Sequence, residues 1–271
     1  MAPEVDPLRA SHILMPGVGA LTERRLWDGG LTTLDDFVAA RAVAGVSRER
    51  KRALDAVALR AIEAHGARDS RFFAGRLPHR EAWRMYRHFA PDAAFLDIET
   101  SGMSRLSAVT VVGVWRPGRG FTALVRRRGL SAAAITEALD GARLLVTFNG
   151  AGFDVPFLRD QFPSARLPPA HLDLLSCARR LGWVGGLKRV EVRLGLTRDL
   201  ETRVLAGADA VRLWRVWERQ GSLNALRLLT RYNEHDCANL EPVARACVAA
   251  LAERVAVPAR PRARQASLAA S

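Results

Sequence analysis

Two acidic side chains, Asp97 and Glu99, interrupt the apolar run AAFLDIET at residues 93–100. A run of this length and composition predicts a buried β-strand. Successive side chains of a strand point to opposite faces, so the two carboxylates share one face. Neighbouring carboxylates near a core repel each other and lose hydration. The fold must therefore stabilise them, and a divalent cation is one solution because Mg²⁺ prefers oxygen ligands.

The segments that follow this run have the pattern of a sheet with one crossover. Further strands are predicted at residues 107–115, 120–128 and 143–149. The stretch WRPGRG between the first two of these supplies Pro and Gly for a hairpin turn. A helix predicted at residues 131–141, with Ser131 as its N-cap, precedes the last strand, which should therefore lie parallel to a neighbour. The sequence predicts an α/β fold, a mixed sheet flanked by helices.

Composition divides the 271-residue chain into four segments. They are a helical segment at residues 8–65, a connector at 66–92, the α/β domain at 93–254, and a tail at 255–271 with the composition of a disordered end. Beyond a helix at residues 155–162, the pattern predicts mostly helix as far as residue 254.

Localisation is predicted from what the sequence lacks and from its cysteines. There is no apolar stretch long enough for a membrane span, and the N-terminus does not have the pattern of a secretory signal. Cys177, Cys237 and Cys247 are too few and too widely spaced for a disulfide framework or a zinc knuckle. We therefore expect a cytoplasmic protein with reduced cysteines and no membrane partner.

The formal net charge of +13 favours a phosphate-rich partner. Lys51 and Lys188 are the only lysines among the 41 basic residues, and this skew toward arginine also fits a genome-wide bias in composition. The excess nevertheless favours nucleic acid, because attraction and counterion release strengthen binding to phosphates.

Two more carboxylates stand in positions from which they can join the acidic pair. Asp154 ends NGAGFD at a strand-to-helix turn, and Asp236 lies in the helical stretch RYNEHDCANL, four residues after Tyr232. Positions i and i+4 share one face of a helix, so this phenol and carboxylate can reach one site. Four carboxylates suit two-metal phosphodiester hydrolysis, in which one ion activates water and the other stabilises the leaving oxygen. The tyrosine would then orient the water rather than act as a base.

Three ordered motifs, D-x-E, N-x3-F-D and Y-x3-D, resemble those of the DEDD superfamily of 3′→5′ exonucleases, in its tyrosine subtype. The stretches NGAGFDVPFL, HLDLL, GGLKRVEVRLGL and YNEHDCANL further resemble ribonuclease-H-like exonucleases of the YprB type, over roughly residues 89–251. The histidine subtype has His five residues before its last Asp, where this chain has Arg231. The resemblance implies a ribonuclease-H-like fold.

The resemblance also implies roles for individual residues. The expected ligands of two Mg²⁺ or Mn²⁺ ions are Asp97, Glu99, Asp154 and Asp236. Tyr232 matches the tyrosine that orients the attacking water. The expected substrate-binding residues in this domain are Thr100, Asn149 and Phe153.

The activity that the resemblance implies is metal-dependent 3′→5′ exonuclease action on DNA or RNA, at a single-stranded 3′ end, with release of nucleoside monophosphates. It identifies no protein partner. Two alternatives stay open: a nucleic-acid-binding protein that keeps the fold without catalysis, and a structure-selective endonuclease.

Each acidic residue also has an ordinary structural interpretation. Asp97 and Glu99 are compatible with strand-end residues that reach water. Asp154 is compatible with an acid that complements a helix N-terminus, and Tyr232 with Asp236 form a plausible surface pair. These interpretations leave the ordered match of three motifs unexplained.

Four neighbouring polar residues have more than one interpretation. Asp173 is expected to stabilise the start of the following helix, and His171 lies two residues before it. Either side chain can also approach the metals as an outer layer. Glu191 is expected on a solvated, salt-linked face, and Arg198 is a candidate for contact with a phosphate.

The segment LMPGVGALTERRLW near the N-terminus resembles half of a helix-hairpin-helix module. Gly17 and Gly19 would allow a tight turn and a close approach of backbone N–H groups to a phosphate. Such binding would not depend on base sequence. The alternative is an ordinary αα-corner with a Gly-rich turn. Thr33 is a candidate N-cap for the helix that follows.

Overall fold

The computed structural model describes residues 5–102, 104 and 106–256. The chain forms two compact units, one from the described residues of Met1–Arg76 and Ala252–Ser271, and the other from Leu77–Leu251. Most of the predicted tail at residues 255–271 lies outside the described residues.

The first unit is helical. Its α-helices follow a short 3₁₀ turn at His12–Leu14, and they are α1 (Ala20–Asp28), α2 (Leu34–Ala39), α3 (Arg48–Gly66) and α4 (Ser70–Ala74). Thr33 caps α2 as predicted, and its side chain and that of Asp36 form a reciprocal capping box. Trp27 is buried, and its indole N–H donates to the carbonyl of Ala10 at 3.0 Å.

The second unit is built on a five-stranded mixed sheet in the order β3-β2-β1-β4-β5. The strands are β1 (Ala93–Thr100), β2 (Val109–Arg116), β3 (Gly120–Val125), β4 (Leu144–Thr147) and β5 (Ala170–Asp173). The first three are antiparallel, and β4 runs parallel to β1 and β5. The predicted mixed sheet and the parallel β4 are confirmed.

The prediction of mostly helix beyond residue 162 was wrong at β5. This strand has only four residues, of which Ala170 and Leu172 are buried while His171 and Asp173 are partly exposed. So short an alternation carries little signal. Pairing with β4, which the sequence pattern cannot show, supplies its backbone hydrogen bonds.

Helices surround this sheet. After 3₁₀ turns at His79–Met85 and Ala90–Asp92, which flank α5 (Tyr86–Phe89), they are α6 (Ala132–Ala138), α7 (Asp154–Gln161), α8 (Leu174–Leu181), α9 (Leu187–Arg193), α10 (Leu200–Arg203), α11 (Gly207–Gln220) and α12 (Leu223–Val255). Ser131 caps α6 as predicted. No helix in the described part of the chain combines the length and apolarity needed to span a membrane.

The two faces of the sheet belong to different apolar clusters. Leu96 and Ile98 pack with side chains of α6 and α7, among them the buried Phe157. On the other face, Val111 of β2 packs with α11 and α12, where Trp214 is fully buried. Each fully buried Val, Leu, Ile or Phe side chain of these clusters contributes about 1.5–3 kcal/mol. Because side chains alternate, Asp97 and Glu99 lie on the same face as α11 and α12.

The approach of α12 to the sheet requires a glycine in β2. A Cβ atom on Gly113 would lie 1.9 Å from Oδ1 of Asn233 and 2.8 Å from Sγ of Cys237. Gly113 pairs with Asp97 in the β1–β2 ladder, so the closest approach of the helix occurs beside the acidic pair. The glycine thus allows α12 to bring its polar side chains to β1.

Candidate active site

Three acidic residues from two distant parts of the sequence meet in the second unit. Asp97, Glu99 and Asp236 each place a carboxylate oxygen within 4.8 Å of those of the other two. All three line a cavity of about 250 Å³, together with Tyr232. The structure therefore brings the first-strand pair and the α12 carboxylate together.

Strand β1 presents its two carboxylates where its pairing becomes irregular. The register with β2 is regular through Glu99 and shifts between Glu99 and Thr100. Such bulges re-aim side chains and occur often beside active sites. Glu99 is 8% exposed, so the interpretation as a strand-end residue that reaches water does not fit it.

Helix α12 supplies the opposite wall through one stripe of polar residues. Tyr232 and Asp236 are four residues apart and line the same cavity, as the helical period predicts. Asn233 is fully buried, and its Nδ2 donates to Oδ2 of Asp97 at 2.8 Å. Burial of Tyr232 and Asp236, at 7% exposure each, excludes an ordinary surface pair.

Asp154 is the first residue of α7, and among the described residues it does not belong to the group of three carboxylates that meet within 4.8 Å. Its Oδ1 accepts the backbone N–H of Ile98 at 3.0 Å, and the residue is 3% exposed. It therefore complements a helix N-terminus and also bridges to the strand that carries Asp97 and Glu99.

Arg198 is the cation closest to the α12 carboxylate. Its Nη2 donates to Oδ1 of Asp236 at 2.5 Å, while Nε donates to Glu191 at 2.8 Å. Glu191 also accepts a bond from Nδ2 of Asn239 at 3.0 Å. The expectation that Glu191 lies on a solvated face was wrong: it is 3% exposed because Arg198 and Asn239 satisfy its carboxylate. The sequence made Arg198 a candidate for contact with a phosphate. In the structure its guanidinium contacts the carboxylates of Glu191 and Asp236.

Burial and mutual repulsion dominate the electrostatics of the acidic residues. Burial, followed by the charges of Asp236 and Asp154, raises the pKa of Asp97 and that of Glu99 well above the usual range. Burial raises the pKa of Asp154 to about 7, although backbone hydrogen bonds oppose this effect. Without a counter-charge, the cluster therefore resists full ionisation.

Burial also raises the pKa of the phenol, whereas the pKa of Arg198 is governed by its acidic neighbours. Burial, followed by the charge of Asp236, raises the pKa of Tyr232, so the phenol stays protonated at neutral pH and is a hydrogen-bond donor. Burial lowers the pKa of Arg198, but hydrogen bonds to Glu191 and the charge of Asp236 outweigh burial and raise it overall. Arg198 is therefore a permanent positive charge at the edge of the cluster.

The donor set fits a hard divalent cation. Within the described residues, Oε1 of Glu99 is buried and has no hydrogen-bond partner. An unpaired buried carboxylate oxygen is costly, and a metal ion would satisfy it. Asp97, Glu99 and Asp236 offer oxygen ligands only, which is the preference of Mg²⁺ and Mn²⁺.

The predicted substrate-binding residues of this unit also line the cavity. Thr100, Asn149 and Phe153 are all part of its wall. Asn149 has a φ of 69°, a conformation that asparagine tolerates better than most residues. Its backbone N–H donates to Oδ1 of Asp173 at 2.7 Å, so Asp173 holds the turn that carries it.

Asp173 also caps α8, where its Oδ1 accepts the N–H of Leu175, as predicted. His171 bonds to the hydroxyl of Thr147 at 2.8 Å. Burial lowers the pKa of this histidine.

Gly17 and Gly19 belong to the first unit. Gly17 has a φ of 72°, and a Cβ atom on it would lie 2.8 Å from Nη2 of Arg50. Gly19 is the N-cap of α1, where a Cβ atom would meet nothing within 4 Å. Because of the positive φ of Gly17, the turn requires glycine at this position. In the same segment, Glu23 of α1 is buried and accepts the N–H of Ile13 at 3.1 Å.

Several site residues were missed from the sequence. Asn233 lies next to Tyr232, and helical spacing from Asp236 could have indicated Asn239, three residues later. Gly207 and Val211 of α11 also line the cavity, but their segment has no chemical signal in the sequence. Their role became visible only from the packing of α11 against β1.

A family B DNA polymerase from the hyperthermophilic archaeon Pyrobaculum calidifontis is similar in structure, with a TM-score of 0.43 and 17% sequence identity. The similarity covers 60% of this chain and 24% of the polymerase chain, so this chain spans about a quarter of the polymerase's length. No curated protein matches the chain.

A sequence model of the RNase_H superfamily matches residues 94–248. The matched range includes nearly all of the five strands and Asp97, Glu99, Asp154 and Asp236. It covers more than half of the 271 residues, and the mixed sheet flanked by helices is the ribonuclease-H-like fold. The chain therefore belongs to the RNase_H superfamily.

Proposed function

We propose that this chain is a metal-dependent 3′→5′ exonuclease of the tyrosine DEDD subtype, similar to YprB-type enzymes. The observation that carries the proposal is the convergence of Asp97, Glu99 and Asp236 within 4.8 Å. Its substrate is DNA or RNA with a single-stranded 3′ end, and its products are nucleoside monophosphates.

Two Mg²⁺ or Mn²⁺ ions, held by Asp97, Glu99, Asp154 and Asp236, would supply a water of lowered pKa and stabilise the leaving oxygen. The donor chemistry of the cavity supports this assignment for Glu99 and Asp236, because both are buried and one oxygen of Glu99 lacks a partner within the described residues. Asn233 and Arg198 each hold one ligand carboxylate in place, through bonds to Asp97 and Asp236.

The other cavity residues act on water and substrate. The protonated phenol of Tyr232 donates a hydrogen bond that orients the attacking water. Phe153 and Asn149 contact the terminal nucleotide, and Thr100 lies at the strand end beside it. In the first unit, the turn at Gly17 and Gly19 contacts phosphates through backbone N–H groups, without sequence preference.

Three buried, free cysteines support a reducing, cytoplasmic location.

The test is a product ladder on short DNA and RNA strands labelled at the 5′ end, with Mn²⁺ present. Wild type should shorten at least one of the two labelled strands, one nucleotide at a time from the 3′ end. Asp154→Asn should lower the rate by at least roughly 100-fold, because loss of metal-assisted charge stabilisation costs several kcal/mol. Asp160→Asn, on the exposed side of the same helix, is the matched control and should keep wild-type activity.

Three outcomes would contradict the proposal. Cleavage of a circular single strand would indicate an endonuclease. Tight binding without hydrolysis would indicate a nucleic-acid-binding protein. Equal activity of Asp154→Asn and Asp160→Asn would contradict the four-carboxylate metal site, because Asp154 would then have no part in the chemistry.

A further inference from the structure

A second cleft, of about 470 Å³, opens beside helix α9 in the same unit. Its apolar surface comes from Trp183, Val184 and Val192. Trp183 is half-buried, whereas Val184 and Val192 are 76% and 78% exposed. Large apolar side chains this exposed, clustered around one aromatic ring, indicate a binding surface.

The rim of this cleft is cationic. Arg189 and Arg193 line it, and no described acidic residue does. The guanidinium of Arg193 lies 5.4 Å from the centroid of the Trp183 ring. The acidic residue of the same helix, Glu191, is buried on the other side and already bonded to Arg198. Glu191 therefore does not neutralise the positive charge of Arg189 and Arg193 at the rim.

Helix α9 joins this cleft to the acidic cavity. On one side, Glu191 bonds to Arg198, and Nζ of Lys188 lies 5.1 Å from the centroid of the Tyr232 ring. The other side carries Arg189 and Val192, which are spaced as neighbours on one helical face. Helix α9 therefore has one side toward the residues of the acidic cavity and the other side at the cleft.

We infer that this cleft binds single-stranded nucleic acid upstream of the scissile phosphodiester, with a base stacked on Trp183 and phosphates paired with Arg189 and Arg193. The inference rests on the proposed nuclease function and adds the surface that would bind the unpaired strand. An aromatic ring can stack any base, and an arginine fork matches the geometry of a phosphate. Paired bases in a duplex cannot reach such a ring, so the cleft selects single strands.

Binding of a fluorescent oligothymidylate in the presence of a chelator tests the cleft without hydrolysis. Trp183→Ala should weaken binding by roughly 5- to 150-fold, the effect of losing one stacked base. Trp183→Phe should restore most of it, which separates stacking from a folding defect. Arg193→Ala should weaken binding and reduce its salt dependence by about one phosphate contact. Arg119→Ala, in the exposed β2–β3 turn, removes the same charge elsewhere and should have a smaller effect.

Hydrolysis assays separate this inference from the proposed function. The p-nitrophenyl ester of thymidine monophosphate offers one nucleotide and cannot fill the cavity and the cleft together. With Mn²⁺, Trp183→Ala should keep wild-type kcat/KM on this ester and lose it on the oligonucleotide. If Trp183→Ala equals wild type in both binding and oligonucleotide cleavage, the inference is overturned while the nuclease stands.

Two further outcomes decide between the claims. If wild type hydrolyses neither substrate but Trp183→Ala loses oligonucleotide binding, the cleft is supported and the nuclease function is overturned. If polyglutamate competes as well as the oligonucleotide in wild type and not in Trp183→Ala, the cleft binds an acidic protein instead. That result would overturn the inference.

Discussion

Replacement of Arg198 by methionine should destabilise the metal-free protein more than any loss of a surface ion pair. Nη2 and Nε of Arg198 donate to Glu191 at 2.5 and 2.8 Å, and Nη2 also donates to Asp236. The Arg198 and Glu191 side chains are only 4% and 3% exposed. Removal of one partner leaves two buried carboxylates uncompensated, which costs about 3–5 kcal/mol.

The assay is urea unfolding in a chelator, followed by circular dichroism and tryptophan fluorescence together, because a free energy requires coincident transitions. Arg227→Met is the matched control. Arg227 also makes two bonds to one glutamate, Glu201, but both side chains are more than half exposed, so solvent screens the pair and its loss should have little effect.

A second variant tests the cause. In Glu191→Gln/Arg198→Met, one of the two stranded charges is removed, so at least part of the lost stability should return. If Arg198→Met is as mild as Arg227→Met, or if the double variant is the less stable of the two, then the buried ion network does not hold Asp236 as described.

Three further predictions concern packing, pH and metal affinity. Gly113→Ala should lower the free energy of unfolding by about 1–3 kcal/mol or more through overpacking, since its Cβ would lie 1.9 Å from Asn233. Gly66→Ala has open space around it and should cost far less in the same urea titration. Equal effects of the two variants would contradict the close approach of α12. Burial raises the pKa of Asp154 to about 7 from an ordinary 3.8. Between these pH values the folded state binds more protons than the unfolded state. The free energy of unfolding of the metal-free protein should therefore fall as pH rises from about 4 to about 7. Asp154→Asn should lose that part of the slope, and parallel urea-derived profiles for wild type and variant would refute it. Asn233→Ala should weaken Mn²⁺ binding by roughly 10- to 100-fold, because Asn233 orients Asp97. The measurement is the dependence of the melting temperature on Mn²⁺ concentration. An unchanged midpoint of that dependence would show that this amide does not support the site.

The sheet was predictable because its signals are local. The apolar alternation of β1 and β2 and the Pro-Gly turn before β3 lie within single stretches of sequence, and β4 follows a capped helix. Strand β5 was not predictable, because four residues have too little pattern and their pairing partner is distant in sequence. The helical period likewise predicted that Tyr232 and Asp236 share a face.

The ion network around Glu191 was not predictable from local sequence. Glu191 stands among Lys188, Arg189 and Arg193, and such a stretch ordinarily forms a solvated face. Its burial depends on Arg198 and on Asn239, which lies 48 residues away. Charge patterning describes one helix at a time, whereas this carboxylate is satisfied by two other segments, which carry Arg198 and Asn239 and meet it only after folding.

The most direct test of the central claim is anomalous diffraction at the manganese edge from crystals grown with Mn²⁺ and a nucleoside monophosphate. Two anomalous peaks about 4 Å apart, bounded by the carboxylates of Asp97, Glu99, Asp154 and Asp236, are the predicted result. A crystal that shows Mn²⁺ at other sites and none between these carboxylates would contradict the account.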